Sequence, residues 1–297
     1  MPVGAKDKGA VLITGTSTGM GRATALLLDR SEYRVFAGVR KEADAENLRR
    51  AASDRLLPVI LDITVPEQIA AAVDTVGAAL GPDRGLKGLV NNAGICEPGP
   101  IETIAVERFR RQMEVNVIGH VAVTQAFLPL IRKGPGRIIN VTSAMALAPF
   151  PCFGAYAASK AALEAMSDSL RRELSRWKIP VSIIEPGTTE AAIWDTTPNS
   201  PHEVPEEQSK TELLKMYDEL SGQVHDLLMQ GRKVAYPPEA IAETIKTALE
   251  ARWPKSRYQR GPGAKMAIRG THLPDAILDF FIDKILRKRL PSKLMGW

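Results

Sequence analysis

The sequence has few cysteines and no cluster of histidines, and both shortages exclude classes of protein. Its 297 residues include two cysteines, Cys96 and Cys152, and four histidines. Two cysteines cannot build a disulfide framework, and neither residue type shows the short spacing of a metal site. We therefore expect no bound metal and a reducing compartment such as the cytoplasm.

Long hydrophobic runs are also scarce, although 44% of the residues are hydrophobic. Residues 1–9 are too polar and too short a stretch for a signal peptide. The longest apolar helical stretch, about residues 117–131, is interrupted by His120, Thr124 and Gln125. It predicts a core helix and not a membrane span.

The basic excess is confined to one end of the chain. Residues 252–297 hold 11 Lys or Arg against 3 Asp, whereas the remaining residues hold 28 basic against 31 acidic side chains. We therefore expect no nucleic-acid partner. Within this C-terminal extension, residues 278–290 combine an apolar stripe with a cationic end. Such a helix either lies on an anionic membrane surface or packs on the lid or on a partner subunit.

Short apolar runs alternate with helical patterns along most of the chain. The predicted strands are residues 10–14, 33–39, 56–61, 88–91, 137–141 and 181–184. Continuous apolar strands that alternate with helices predict an α/β fold with a doubly wound parallel sheet, covered by helices on both faces. We expect one domain over residues 1–297.

The alternation breaks after Gly187. Residues 188–210 are rich in Thr, Pro, Glu and Ser, and a helix follows with apolar residues at three- and four-residue spacing. Pro237 and Pro238 end this insertion. Because the insertion follows the carboxyl end of a strand, residues 188–236 are predicted to form a substrate lid. The alternative is a surface hairpin without a ligand.

A glycine-rich turn directly follows the first strand. Glycines let a chain turn tightly and approach a pyrophosphate, and the N-terminus of the next helix attracts phosphate. The predicted dinucleotide-binding residues of this turn are Gly15, Thr16, Ser17, Thr18, Gly19, Met20 and Gly21.

The end of the second strand bears on the choice of cofactor. Arg40 and Lys41 stand where an acidic residue would favour NAD(H), so the sequence favours NADP(H). NAD(H) remains the alternative if Arg40 is only a solvated charge. Asp62, followed by Ile63, either accepts a hydrogen bond from the adenine or caps a helix. The predicted cofactor-lining residues after the fourth strand are Asn92, Ala93 and Gly94.

Four polar residues carry the predicted chemistry. Tyr156 and Lys160 lie at i and i+4 of one helix and share a face. A lysine ammonium and an oxidised nicotinamide both favour the phenolate and are expected to lower the tyrosine pKa, so that Tyr156 can act as general acid or base. Ser143 would orient the substrate oxygen, and Asn116 would hold a water that reaches Lys160. Each residue alone has a structural alternative, but their joint order indicates an alcohol or carbonyl oxidoreductase.

These residues resemble the short-chain dehydrogenase/reductase family. The resemblance covers residues 10–190 and implies a Rossmann-type core of about seven parallel strands, an Asn-Ser-Tyr-Lys tetrad and hydride transfer at nicotinamide C4. It implies pairing through helices at about 108–132 and 154–177, giving a homodimer or homotetramer. The family's threonine after the Pro-Gly pair is replaced by Ala191, which leaves this part of the cofactor site to Pro186, Gly187, Thr188 and Thr189.

Three segments resemble the retinol and hydroxysteroid dehydrogenase branch of that family. They are residues 88–95, 165–174 and 184–187. This implies a hydrophobic secondary alcohol, steroid-like or retinoid-like, and its ketone as substrates, and with the cations at Arg40 and Lys41 we expect an enzyme that interconverts them with a preference for NADP(H). The alternatives are a reductase of small carbonyls or quinones, a catalytically silent nucleotide sensor, and a scaffold that binds acidic lipids through its tail.

Overall fold

The protein is built around one parallel sheet of seven strands. The computed structural model describes residues 7–189, 211–261, 263–265, 270 and 273–287. The sheet has the order β3-β2-β1-β4-β5-β6-β7, and every pair of neighbours is parallel. The strands are β1 (Ala10–Ile13), β2 (Arg34–Val39), β3 (Leu56–Ile60), β4 (Leu86–Asn91), β5 (Arg137–Val141), β6 (Val181–Pro186) and β7 (Arg257–Arg260). The predicted doubly wound α/β fold is confirmed.

Helices cover both faces of the sheet. The α-helices are α1 (Gly19–Arg30), α2 (Glu42–Ala51), α3 (Pro66–Leu80), α4 (Val106–Met113), α5 (Gly119–Lys133), α6 (Gly154–Leu174), α7 (Thr211–Met216), α8 (Asp218–Arg232), α9 (Pro238–Glu250) and α10 (Asp275–Leu286).

The two faces of each central strand belong to two different core clusters, which is why these strands read as continuous apolar runs. Leu12 of β1 packs with Phe127 of α5 on one face. Val11 and Ile13 pack with Leu28 of α1 on the other. All of β1 is buried, so alternation with polar residues would place polar groups in a core.

One continuous helix, Val106–Lys133, is long and apolar enough to cross a membrane by length and composition alone. It comprises α4, a π-turn over Glu114–Ile118 and α5. Val123, Phe127 and Ile131 are completely buried in the core beneath the sheet. This packing is that of the core helix predicted from the sequence.

The structure differs from the sequence-based elements in two places. Strand β7 was not predicted as a separate element, because its residues are Arg, Tyr, Gln and Arg at an edge of the sheet. The predicted helix with Leu213 and Leu227 is divided into α7 and α8 at Tyr217. Residues 190–210 of the predicted lid, with Ala191, lie outside the described residues, as do residues 288–297.

Candidate active site

The glycine-rich turn forms a cradle that side chains would fill. Gly15 and Gly19 have φ angles of +69° and +53°, where residues with a Cβ are rare. A Cβ on Gly15 would lie 2.7 Å from the Ala93 Cα atom, and one on Gly21 would overlap the Gly15 carbonyl oxygen. Helix α1 starts at Gly19, and Thr18 gives it no side-chain cap. The turn therefore fits a phosphate-bearing nucleotide, with the first N–H groups of α1 as donors.

The other predicted residues of the turn have different surroundings. Thr16 is buried, and its amide and hydroxyl both donate to the Gly38 carbonyl, at 2.9 and 3.0 Å. This ties the turn to β2. Met20 packs on the core cluster beneath α1, whereas Ser17 is half-buried and Thr18 is exposed. Ser17 and Thr18 are thus the side chains of the turn that a ligand can reach most directly.

A set of hydrogen bonds joins the turn to the end of β4. The Thr14 hydroxyl accepts from the amides of Asn92 and Ala93, both at 3.0 Å. The Asn92 side-chain amide donates to the carbonyls of Thr14 and Gly15, also at 3.0 Å. Asn92 and Ala93 therefore fix the shape of the cradle. Thr14 was missed as a site residue, although its position at the start of the glycine turn was a signal.

The residues predicted to bind the adenosine end follow β2 and β3. Arg40 is exposed at the end of β2, with no ion pair among the described residues. The Asp62 carboxylate accepts from the amide and hydroxyl of Thr64, at 3.0 and 2.7 Å. Asp62 thus makes a turn between β3 and α3, but it does not cap α3, whose N-cap is Val65 and has no side-chain cap. Ile63 is buried and packs where α5 begins, at Gly119.

The residues after β6 lie beside β7 and the end of α8. The Gly187 amide donates to the Arg260 carbonyl at 2.8 Å, and the Thr188 carbonyl accepts from the Tyr236 amide at 3.1 Å. Thr189 is buried and bridges to Tyr236. Pro186 is the last residue of β6 and is also buried. This segment therefore lies at the carboxyl ends of the parallel strands, where the glycine turn also lies.

Asn116 lies in the π-turn between α4 and α5 and is completely buried. Its side-chain amide donates to the Ile95 carbonyl and to the Ser159 hydroxyl, both at 3.0 Å, and its oxygen accepts from the Ile95 amide at 2.9 Å. The two bonds to Ile95 are those expected if Asn116 is a buried helix residue that binds the backbone, which is the structural alternative to holding a water. The same oxygen would lie 3.4 Å from a Cβ on Gly94, and the Lys160 ammonium 3.6 Å from it. Asn116 and Lys160 therefore flank Gly94 together.

Tyr156 and Lys160 share the face of α6 that turns to the carboxyl ends of β4 and β5. The Lys160 ammonium donates to the Val141 carbonyl at 3.0 Å and lies 5.8 Å from the centre of the Tyr156 ring. The Ser143 side chain lies close enough to the Tyr156 phenol to lower its pKa as a hydrogen-bond partner. Ser143 precedes a short 3₁₀ turn, and its hydroxyl also accepts from the Met145 amide at 3.2 Å. Three of the four predicted catalytic side chains thus meet, with Asn116 beside Lys160.

The expected lowering of the Tyr156 pKa by Lys160 is not found. Burial raises the pKa of Tyr156 above its usual range, the nearby Cys96 thiol adds to the rise, and the hydrogen bond from Ser143 only partly opposes it. Burial also lowers the pKa of Lys160 to about 8. The part of the prediction that rests on Lys160 is wrong, because the cost of burying a charge decides the direction of the shift, and the effect of an oxidised nicotinamide stays a prediction. Tyr156 is therefore a protonated phenol at neutral pH.

His120 also lies in this region, although no role was predicted for it. It is fully buried in α5, and its Nε2 atom lies 2.9 Å from the Ala93 carbonyl oxygen. Burial, together with the charge of Lys160, lowers the pKa of His120 to about 3. It is therefore neutral at physiological pH and supports the loop that carries Ala93. No spacing in the sequence connects it to that carbonyl.

An apolar cluster covers Tyr156. It joins the loops before α6 to the predicted lid helix α8 and to α10, and its residues are Cys96, Met145, Phe150, Cys152, Phe153, Tyr156, Leu220, Val224, Leu227, Leu228, Ile282 and Leu286. Both cysteines pack in this cluster, and burial raises the pKa of Cys96 to about 12. The hydroxyl pair of Tyr156 and Ser143 is thus bordered by apolar side chains from three parts of the chain.

This nucleotide cradle, followed by a tyrosine–lysine–serine centre at the ends of parallel strands, defines a dinucleotide-dependent oxidoreductase. Residues 9–201 match the short chain dehydrogenase family, and the chain belongs to it. It is 39% identical over 284 residues to 17-beta-hydroxysteroid dehydrogenase type 6 of Bos taurus, covering 92% of this chain and 87% of that protein. It is 37% identical over 286 residues to retinol dehydrogenase 7 of Mus musculus, covering 90% and 87%.

A solved structure shows the same fold. A short-chain dehydrogenase from Streptomyces avermitilis superposes with a TM-score of 0.75 at 26% identity, covering 96% of this chain and 99% of that one. The predicted resemblance to the retinol and hydroxysteroid dehydrogenase branch is confirmed. The protein is an NAD(P)-dependent oxidoreductase that acts on hydroxyl groups and the corresponding ketones.

Proposed function

We propose that this enzyme interconverts a hydrophobic secondary alcohol and its ketone, with a preference for NADP(H). The observation that carries the proposal is the Tyr156 hydroxyl, which lies beside Ser143 and is covered by the apolar cluster. A polar pair at the base of an apolar wall orients a substrate that has one oxygen on a hydrocarbon body. Relatives named as retinol and 17-beta-hydroxysteroid dehydrogenases support the same substrate class.

Each catalytic residue has a role that its surroundings support. Tyr156 gives its proton to the ketone oxygen during reduction and takes it back during oxidation. Ser143 holds the same oxygen by its hydroxyl. Lys160 replaces the proton from its position beside the tyrosine ring, and Asn116 holds the loop around Gly94 in place. A bound nicotinamide dinucleotide supplies or accepts the hydride.

The predicted lid is proposed to close the substrate site. Leu220, Val224 and Leu227 of α8 pack in the cluster with Tyr156, so a bound substrate would lie between them and the catalytic hydroxyls. Tyr217, at the break between α7 and α8, donates to the Glu102 carboxylate at 2.5 Å. This bond connects the predicted lid to the segment between β4 and α4. An apolar wall built from α8 and α10 as well as from the loops before α6 favours steroid-like or retinoid-like substrates over small carbonyls or quinones.

Arg40 is proposed to select NADP(H). It is an exposed cation at the end of β2, where the ribose 2′-phosphate binds in this class of fold. We expect wild type to reduce steroid ketones faster with NADPH than with NADH, and to reduce small aldehydes and quinones poorly with either. Arg40→Asp should weaken NADPH binding at least about tenfold, because it replaces a charge-assisted contact by a repulsion. Fluorescence titration with both cofactors measures this.

Arg50→Asp is the matched control for that variant. Arg50 is also exposed and lies on α2 after the same strand, and its replacement by Asp makes the same change in net charge. If only the local contact matters, Arg50→Asp should leave the NADPH and NADH affinities within about twofold of wild type. Equal NADPH affinities for wild type and Arg40→Asp would contradict the phosphate contact. Faster turnover of small quinones than of any steroid ketone would contradict the substrate class.

A peripheral membrane contact through α10 is proposed as well. Its Ile282 and Leu286 pack toward α8, whereas Ile277, Phe280 and Phe281 are 42–56% exposed on the other side. Lys284 lies over the Phe280 ring at 5.2 Å. An apolar face beside cations is suited to an anionic bilayer surface. The part of the basic tail beyond residue 287 lies outside the described residues.

Vesicles with and without phosphatidylserine test this contact. Wild type should co-sediment with the anionic vesicles, and the double variant Phe280→Ser, Phe281→Ser should lose most of that binding, because each aromatic ring buries apolar area in the bilayer. Trp253→Ser is the control, since Trp253 is 82% exposed but lies in the loop before β7. Unchanged binding of the double variant would contradict a role for this face.

Pairing of subunits through α5 and α6 stays a prediction, which light scattering would check.

A further inference from the structure

A group of four charged side chains lies beneath the active site, on the side of the sheet that α6 covers. Arg257 of β7 contacts three carboxylates. Its guanidinium lies 2.9 Å from Asp168, 3.5 Å from Glu164 and 3.2 Å from Glu185. The Glu164 and Glu185 side chains are 7% and 1% exposed. We call these four residues the Arg257 cluster.

The Arg257 cluster has more negative than positive charge. Arg171 adds a second cation, but it contacts only Asp168, at 3.1 Å, on the outer side. Neither Glu185 oxygen has a hydrogen-bond partner among the described residues, because its contact with Arg257 lacks hydrogen-bond geometry. Burial and the charge of Glu185 raise the pKa of Glu164 to about 7, against the opposing effects of Thr142 and Arg257. Arg257 is thus the cation that offsets the desolvation cost of these buried carboxylates.

Each carboxylate that Arg257 contacts on the buried side is connected to an active-site residue. Glu164 lies one turn after Lys160 on α6 and accepts from the Thr142 hydroxyl at 3.0 Å. Thr142 immediately precedes Ser143, and its backbone amide donates to the Ile184 carbonyl at 2.8 Å, so it links β5 to β6. Glu185 immediately precedes Pro186 and Gly187. The cluster therefore joins the ends of three elements that carry site residues.

We propose that Arg257 is a positioning residue of the active site, which holds α6, β5 and β6 at the spacing that Ser143, Tyr156 and Pro186 need. The proposal rests on the proposed roles of those residues. Without the guanidinium, Glu164 and Glu185 repel one another between α6 and β6. A displacement of the order of 1 Å in catalytic groups lowers rates by up to about 100-fold.

The test compares variants of the cluster at 20 °C, with NADPH and the best ketone substrate. We expect Arg257→Gln to lower kcat about tenfold or more and to weaken NADPH binding. Both effects should be present at an assay temperature far below the unfolding temperature of the variant. The loss should be larger at pH 8 than at pH 6, because Arg257 lowers the pKa of Glu164 and stabilises its charged form, which wild type holds mainly above about pH 7. The double variant Arg257→Gln, Glu185→Gln removes one charge of each sign and should regain most of the activity. Arg257→Lys, which keeps the charge, extends the test if Arg257→Gln does not fold.

Arg171→Gln is the matched control, since it removes a cation from Asp168 without exposing the buried pair. It should leave kcat and the NADPH dissociation constant within about twofold of wild type. A lowered unfolding temperature with unchanged kcat and unchanged NADPH affinity in Arg257→Gln and Arg257→Lys would overturn the proposal and leave a structural role alone. A wild type inactive on every ketone would instead contradict the proposed function. In that case NADPH affinity decides, because weaker binding restored by the double variant would still support positioning.

Discussion

Replacing Tyr156 by phenylalanine should lower kcat for ketone reduction by about 10²–10⁴-fold, the usual contribution of a positioned general acid. The variant loses the only proton donor that lies beside Ser143 and is flanked by Lys160 in the described part of the chain. Because burial keeps the phenol protonated at neutral pH, wild type is ready to donate a proton during reduction. The measurement is initial-rate NADPH oxidation across a panel of steroid ketones.

The ring of the variant keeps its place in the apolar cluster, so NADPH affinity and the unfolding temperature should change little. Tyr33→Phe is the matched control. Tyr33 is completely buried, whereas Tyr156 is partly buried; the Tyr33 hydroxyl donates to Glu250 at 3.3 Å, and Tyr33 lies at the other end of the sheet. It should keep full activity. If Tyr156→Phe oxidises NADPH as fast as wild type and Tyr33→Phe, the catalytic proposal is wrong.

The sheet could be predicted because buried parallel strands need apolar residues on both faces. This holds for β1, which supplies both core clusters. The same rule fails for β7, whose Arg, Tyr, Gln and Arg lie at the edge and are half-buried or exposed. An edge strand with charged side chains has no hydrophobic period to detect. Its place next to β6 depends on backbone pairing, which no local pattern specifies.

The site could be predicted as a set of residues but not as a network. Local motifs identified Tyr156 and Lys160, since both lie on one helix face. The partners of Arg257 are 72 to 93 positions away in the chain, and the bond from Thr14 to Asn92 spans 78. Such contacts arise only when the sheet forms. Sequence spacing carries no information about them.

The direction of the Tyr156 pKa shift shows the same limit. The i and i+4 spacing correctly placed an ammonium near the phenol, and attraction between charges favours the phenolate. Spacing does not reveal how deeply a side chain is buried. Val224, Leu227 and Ile282 come from distant segments and pack in the cluster with the ring, so the cost of removing the charge from water decides the outcome.

Substituting Gly21 by alanine should remove most of the nucleotide binding. A Cβ at this position would overlap the Gly15 carbonyl oxygen and the Asn92 side-chain amide, both parts of the cradle. Backbone and a buried amide cannot move aside freely, so the free energy of unfolding should fall by about 1–3 kcal/mol. NADPH affinity should weaken about tenfold or more, since each tenfold corresponds to about 1.4 kcal/mol. Denaturant unfolding and fluorescence titration measure the two effects.

Gly77→Ala separates the loss of the cradle from a general effect of replacing glycine. Gly77 lies inside α3, and no atom would come within 4 Å of an added Cβ. Alanine there should raise the free energy of unfolding by about 0.5–1 kcal/mol, because it restricts the unfolded chain and suits a helix. NADPH affinity should not change. If Gly21→Ala instead bound NADPH as tightly as Gly77→Ala, the contact between the glycine turn and the end of β4 would not shape the nucleotide site.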